Sequence, residues 1–279
     1  MNNNLTTLDN AKSWAGVTSA NDDQLLTRLI GSASRFILSY LQRPTLFQNV
    51  FSDVYDGVGN SRQILKNFPV LSVASVTVDY QTIAQYQVPQ QPSPYYQQYG
   101  TGWVLEPWDG YPPGRPQAVD LRGFRFCRGS SNVQIVYTSG FVVQNEPQNV
   151  PVSSGPYTVA VKAPNGNWAV DQGVTYAVSG TALTPVTGTP STGQYSVSGG
   201  TYTFAAGDTG LAVLISYSYI PSDIEDACVT MVGERYSYKS RIGTVSKSLG
   251  GQETVSFSQK DMPDFLKTNL QPYKRVVLV

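Results

Sequence analysis

Apolar residues in the first forty positions recur at helical spacing, and the pattern then changes to strand-like alternation. Leu5 to Ala15 reads as a short helix that Thr6 or Thr7 can cap and Gly16 can end. Ser19, Asn21, Asp22 and Asp23 supply cap candidates and first-turn negative charge for a second helix reaching about Leu41. Its apolar stripe is Leu26, Leu29, Ile30, Ala33, Phe36, Ile37, Tyr40 and Leu41, and Arg43-Pro44 stops it. A stripe this regular predicts a packing face. From Phe47 extended chain follows, with Asp56 to Asn60 (DGVGN) as a hairpin turn and Val70, Val73, Val76 and Val78 marking a further strand. Gly57 and Gly59 do not make a phosphate loop, because the third glycine and the following helix are missing.

Gln81 to Pro116 is crowded with Gln, Pro, Tyr and Gly and predicts a long, partly ordered loop of the kind that often binds partners. Strand signals return at Asn132 to Val143, after Arg122, Arg125 and Arg128. Those arginines suit a solvated or subunit-bridging face, with nucleic acid or an acidic neighbour as the other reading. Pro151 to Tyr219 alternates Thr, Val, Tyr and Gly at short intervals, as an antiparallel β-sandwich does. A helix opens at Pro221-Ser222-Asp223 with a stripe of Ile224, Ala227, Cys228, Met231 and Val232. Lys239 to Lys260 is Gly/Ser-rich and too polar to build a core, so it is expected to be disordered. Asp261 and Pro263 open a last helix closed by Pro272, and the sequence ends in Val276-Val277-Leu278-Val279, an apolar tail that no local element covers.

Composition narrows the chemistry. The 279 residues contain no His, which removes the commonest general base, the His-dependent nucleophile pairs and the imidazole metal ligand. Cys127 and Cys228 lie about a hundred positions apart and form neither a zinc motif nor a disulfide framework; two reduced, partly buried thiols are expected. Lys plus Arg and Asp plus Glu are 19 each, so nothing recruits nucleic acid or a membrane by bulk charge. The opening residues carry no secretory signal and no run reaches ~20 apolar residues, so a soluble protein made in the cytoplasm is expected. No catalytic, cofactor-binding or metal-binding residue is assigned. Two other function classes were weighed. A β-module binding host carbohydrate draws on the 18 Tyr, four Trp and the Trp103-to-Tyr111 loop. A two-carboxylate glycosidase needs no His, but no Asp or Glu pair can be placed on a common cleft.

The segment LTTLDNAKSWAGVTSANDDQLLTRLIGSASRFILSYLQRP, followed by YDGVGN and FPVLSVASVTVD, is similar to the opening of head-tail connector proteins of the tailed-phage adaptor (head completion) family. The closing half resembles it too, with a strand at Ile135 to Phe141, a proline-started helix at Pro221 to Tyr238 and a terminal helix at Asp261 to Tyr273. The resemblance implies a small helical adaptor core with a β-hairpin region. The block between Phe141 and Tyr219, which compact family members lack, and the enlarged Gln81 to Pro116 loop depart from it. That block reads as an inserted antiparallel β-sandwich resembling an immunoglobulin domain, giving an α+β protein. The corresponding boundaries are 1–141 and 220–279 for the core and 142–219 for the insert. The resemblance further implies a structural, non-enzymatic virion protein of the neck, assembled as a homo-oligomeric ring, a dodecamer, between the portal protein and a tail or stopper protein. DNA passes through the lumen without sequence-specific binding, and no membrane is involved. Portal binding falls on Tyr273, Lys274, Arg275, Val276, Val277, Leu278 and Val279.

Overall fold

The computed structural model describes residues 3–87, 100–107, 115–152, 155–239, 246–249, 253–256 and 262–276. The chain forms two compact units, one of residues 1–44 and 220–274, the other of residues 45–219 and 275–279.

The first unit is helical. Helix α1 (Leu8–Ala15) starts where Thr7 Oγ1 accepts the Asn10 N–H and ends at Gly16, whose positive φ of 66° returns its own N–H to Lys12 and Ser13 carbonyls. Helix α2 (Asp23–Leu41) buries Leu26, Ile30, Ala33, Ser34, Ile37, Leu38 and Leu41. The expected stripe is therefore rotated: Leu29, Phe36 and Tyr40 stay at least partly exposed, and Ser34 and Leu38 replace them. Ser34 belongs inside because its hydroxyl accepts the otherwise unpaired Leu5 N–H at 2.9 Å and lies 3.6 Å from the Cys228 sulfur. Helix α3 (Ser222–Tyr238) packs against α1, α2 and α4 (Asp264–Leu270). Its stripe is buried as expected, and it adds Glu225, a buried carboxylate that accepts from Thr6 Oγ1 at 3.0 Å and Asn10 Nδ2 at 2.7 Å. Cys228 is buried and its thiol is pushed up to about 11 by desolvation, whereas Cys127 is exposed. Within the stretch expected to lack structure, β15 (Ser246–Leu249) and β16 (Glu253–Ser256) pair antiparallel.

The second unit is built from strands. One sheet has the order β1 (Asn49–Gly57), β7 (Gly129–Ser139), β3 (Val70–Val78), β4 (Gln81–Ile83). The second runs β2 (Arg62–Ile64), β6 (Ala118–Arg122), β5 (Gly102–Glu106). Tyr55, Leu65, Val76, Trp103, Phe126, Ile135 and Tyr137 are among the residues of their shared core. Two expectations change here. DGVGN is a turn but not a hairpin, because β1 pairs with β7 and β2 with β6, so the turn carries the chain from one sheet to the other. Gly57 is required there: a Cβ would sit 1.8 Å from the Cys127 carbonyl oxygen. The two-residue hairpin is Asp79-Tyr80, both at positive φ, joining Val78 to its partner Gln81. Secondly, Gln81 to Pro116 is not all loop: it contains β4 and β5, and Trp103 is a core residue. Residues 88–99 and 108–114 lie outside the described residues.

The remaining strands form two further sheets. The order in one is β10 (Gly166–Tyr176), β14 (Ala212–Pro221), β8 (Val142–Asn149); in the other it is β11 (Thr184–Pro185), β12 (Gln194–Ser198), β13 (Thr201–Phe204), β9 (Thr158–Ala160). β8–β14, β12–β13 and β9–β13 are antiparallel and β11–β12 is parallel. Tyr195, Tyr202 and Tyr217 are almost fully buried, and each sends its hydroxyl to a carboxylate. Tyr217 donates to Glu146 at 2.5 Å, Tyr195 and Tyr202 donate to Asp171 at 2.5 and 2.8 Å, and Tyr176 donates to Asp208 at 2.6 Å.

Glu146 also accepts from Gln148 Nε2 at 2.6 Å and the Lys162 N–H at 2.9 Å. Burial alone would raise its pKa, but these donors favour the charged form and hold it below the usual 4.5. A carboxyl depressed in the folded state stabilises the fold above its unfolded pKa, and the contribution is lost as pH falls through the folded value. Tyr217→Phe, which removes one donor and keeps the ring, should therefore cost about 1–3 kcal/mol at pH 7. The difference from wild type should shrink as the pH falls below the ordinary glutamate value of 4.5 and on through the lower folded value, where Glu146 protonates in the native protein. Urea unfolding at pH 7 and in acid measures both; a pH-independent difference would show that Glu146 is not the partner that matters.

Candidate docking segment

The residues implied in portal binding occupy the end of the chain, and the division between the two units falls between Lys274 and Arg275. In the helical unit α4 runs into a short 3-10 turn, Gln271–Tyr273, with Pro272 in its first turn. Tyr273 is buried, donates its hydroxyl to Asp223 at 2.9 Å, and its carbonyl accepts from Arg43 Nε at 2.6 Å. The Lys274 ammonium lies 3.9 Å from the centre of the Tyr40 ring, a cation–π contact that explains why Tyr40 is not spent in the core.

In the strand unit Arg275 meets Asp53 at 3.5 Å, and the Val276 N–H donates to the Lys66 carbonyl at 3.1 Å. Asp53 is the centre of a polar cluster on the inward phase of β1, between Phe51 and Tyr55. It accepts from the hydroxyls of Tyr137 at 2.6 Å and Tyr55 at 3.3 Å, and the Tyr137 hydroxyl accepts in turn from both nitrogens of Asn67. Burial, followed by the bond to Asp53, pushes the Tyr137 hydroxyl up to about 12; burial likewise raises Tyr55. Val276 is half-buried, and Val277, Leu278 and Val279 lie outside the described residues.

The structure thus ties Tyr273 and Lys274 to one set of partners and Arg275 and Val276 to another. Arg43, Tyr40, Asp53, Lys66 and Asp223 hold this segment, and sequence reading assigned none of the five to it. Only Asp53 carried a usable signal, a carboxylate on the core-facing phase of an alternating strand.

Among the described residues no three His, Cys, Asp or Glu side chains are grouped to hold a metal, and no helix is long and apolar enough to cross a membrane. A cavity of about 320 Å³ opens beside Asp171 and Tyr195, lined in part by Val174, Leu183, Pro185 and Leu214. It offers no sugar platform: Tyr195 is 1% exposed and both Asp171 oxygens already accept tyrosine hydroxyls. Of the Trp103-to-Tyr111 loop weighed for carbohydrate binding, Trp103 is in the core and residues 108–111 lie outside the described residues.

No curated protein matches the chain. A model of the family described as "Head completion protein" matches residues 4–107, a stretch that takes in α1, α2 and the strands through β5. Over those residues, fewer than half of the chain, it is similar to the head completion proteins that the model describes.

Proposed function

We propose that the protein is an adaptor of the phage neck: a homo-oligomeric ring, a dodecamer, seated between the portal protein and a tail or stopper protein, with DNA passing through its lumen. The match of residues 4–107 to the head completion family carries this reading. The terminal segment Tyr273 to Val279 is the portal contact. In this reading Lys274 and Arg275 give polar registration, which their contacts with Tyr40 and Asp53 support, and the four apolar residues after them supply burial. At ~25 cal/mol per Å² of apolar surface, a few such side chains in each of many copies hold a ring by multivalency. Deleting Val276 to Val279 should leave a folded protein that no longer joins DNA-filled heads. Cosedimentation with tailless heads tests this, and normal incorporation of the truncated chain would refute it.

The strands from β8 to β14 are, in the same reading, an immunoglobulin-like module inserted into the adaptor and projecting from the ring. The Tyr219 N–H donates to the Phe141 carbonyl at 3.0 Å, so chain entry and exit are hydrogen-bonded neighbours, as insertion at one surface point requires. Among the described residues the strands of the module pair only with one another. Replacing Val142 to Ser218 by a short Gly/Ser connector should preserve helical circular dichroism and the oligomer seen by light scattering. A shortened protein that misfolds or stays monomeric would place the module in the subunit interface instead.

A further inference from the structure

The segment Arg122 to Gly129, RGFRFCRG, carries three arginines and no carboxylate, within a chain whose charges balance overall. It links β6 to β7 and is pinned to the turn after β1 by two backbone bonds, Gly59 N–H to the Phe126 carbonyl at 2.7 Å and Phe126 N–H to the Asn60 carbonyl at 2.8 Å. Phe126 is fully buried and anchors the loop, while Arg122, Arg125 and Arg128 are exposed around it.

Two of the guanidinium side chains converge. Arg125 Nη1 donates to the Gly59 carbonyl at 3.2 Å, and the Arg128 side chain lies along the same residue, with Cγ and Nε 3.4 Å from where a Gly59 Cβ would be. The third, Arg122, stacks 4.5 Å from the centre of the Tyr86 ring. None of the three makes an ion pair among the described residues. The nearby carboxylates are engaged elsewhere, Asp120 with Arg62 at 3.2 Å and Asp56 with the Ser131 N–H at 2.5 Å. Phe124 and Val58 are exposed beside them.

From this arrangement we infer that the Arg122–Arg128 loop, braced on Gly59, is a contact for the phosphate backbone of DNA. Three exposed cations on one braced loop that carries no carboxylate of its own suit a dense anion. Duplex DNA presents about one charge per 1.7 Å and remains hydrated while neutralised. An acidic protein would have to place and desolvate three carboxylates against the same patch. All three cations are arginine, whose planar fork matches phosphate oxygens, and their backbone is fixed before binding. The contact reads charge and not sequence, since nothing in the loop is shaped to reach base edges. This inference goes beyond the neck reading and does not depend on it, because it concerns the isolated chain.

The test is fluorescence anisotropy of a labelled mixed-sequence duplex titrated with the full-length protein across a salt series. With three phosphate contacts log K should fall against log salt with a slope of about −2.7, or about forty-fold between 50 and 200 mM. The triple variant Arg122→Gln/Arg125→Gln/Arg128→Gln should retain the circular dichroism of wild type and lose most of that slope. A control variant, Arg28→Gln/Arg35→Gln on the exposed side of α2, should bind as wild type does. Absence of binding at 50 mM salt, an unaltered slope in a folded triple variant, or displacement by polyglutamate as efficiently as by unlabelled DNA would each overturn the proposal, the last in favour of an acidic protein partner.

Discussion

Inward-facing carboxylates in the strand unit are hydrogen-bonded by tyrosine hydroxyls, and among the described ion pairs only Asp53 of this set also meets a cation, Arg275 at 3.5 Å. Asp53, Glu146, Asp171 and Asp208 each accept at least one such hydroxyl, at between 2.5 and 2.8 Å. A carboxylate taken from water without partners costs several kcal/mol, and a charge-assisted O–H bond offsets much of that without importing a second charge that also needs solvation. The tyrosine rings then serve twice. The faces of Tyr137, Tyr195, Tyr202 and Tyr217 fill the cores, and their hydroxyl tips lock strands that are distant in sequence, Tyr137 to β1 and Tyr217 to β8. This use of tyrosine explains how a chain with 14% charged residues orders sheets whose strands are short.

Much of the helical unit was legible because its determinants are local. Thr7 and Gly16 sit where a cap and a left-handed stop are needed, and the α3 stripe follows directly from spacing. The rotation of α2 was not legible, since it follows from Ser34 meeting the Leu5 N–H, a contact across 29 positions. The same limit governed the strands. DGVGN has the composition of a hairpin, yet β1 finds β7 about eighty residues later, and the pairing decides which turn closes a hairpin. Asp79-Tyr80 lacks glycine, so its two positive φ values had no compositional signal.

The docking segment shows that limit in its sharpest form. The sequence marks an apolar run from Val276 to Val279, of which only Val276 lies among the described residues. What holds the residues before it was hidden, since Asp53, Lys66, Arg43 and Tyr40 come from four places in the first quarter of the chain and Asp223 from α3. Asp53 was the exception, marked by its phase in β1. A charged residue on the core-facing phase of a strand signals a partner even when the partner's identity is beyond reach.

The scarcity of charge also changes how exposed cations should be read. In a highly charged protein three arginines in one loop are an ordinary solvated surface. Here the cations in the described ion pairs have assigned work: Lys12 with Asp23, Arg62 with Asp120, Lys239 with Asp22, Lys267 with Asp264 and Arg275 with Asp53. Of the inward carboxylates, Glu146, Asp171 and Asp208 are bonded by tyrosine and enter no described ion pair, and Asp53 is shared between tyrosine and Arg275. Arg122, Arg125 and Arg128 are consequently left without an internal role that accounts for their charge, although Arg125 and Arg128 are held in place against Gly59. A side chain that is positioned by the fold but not neutralised by it is set for an anion from outside, and the tyrosine network that frees these arginines is what makes them informative.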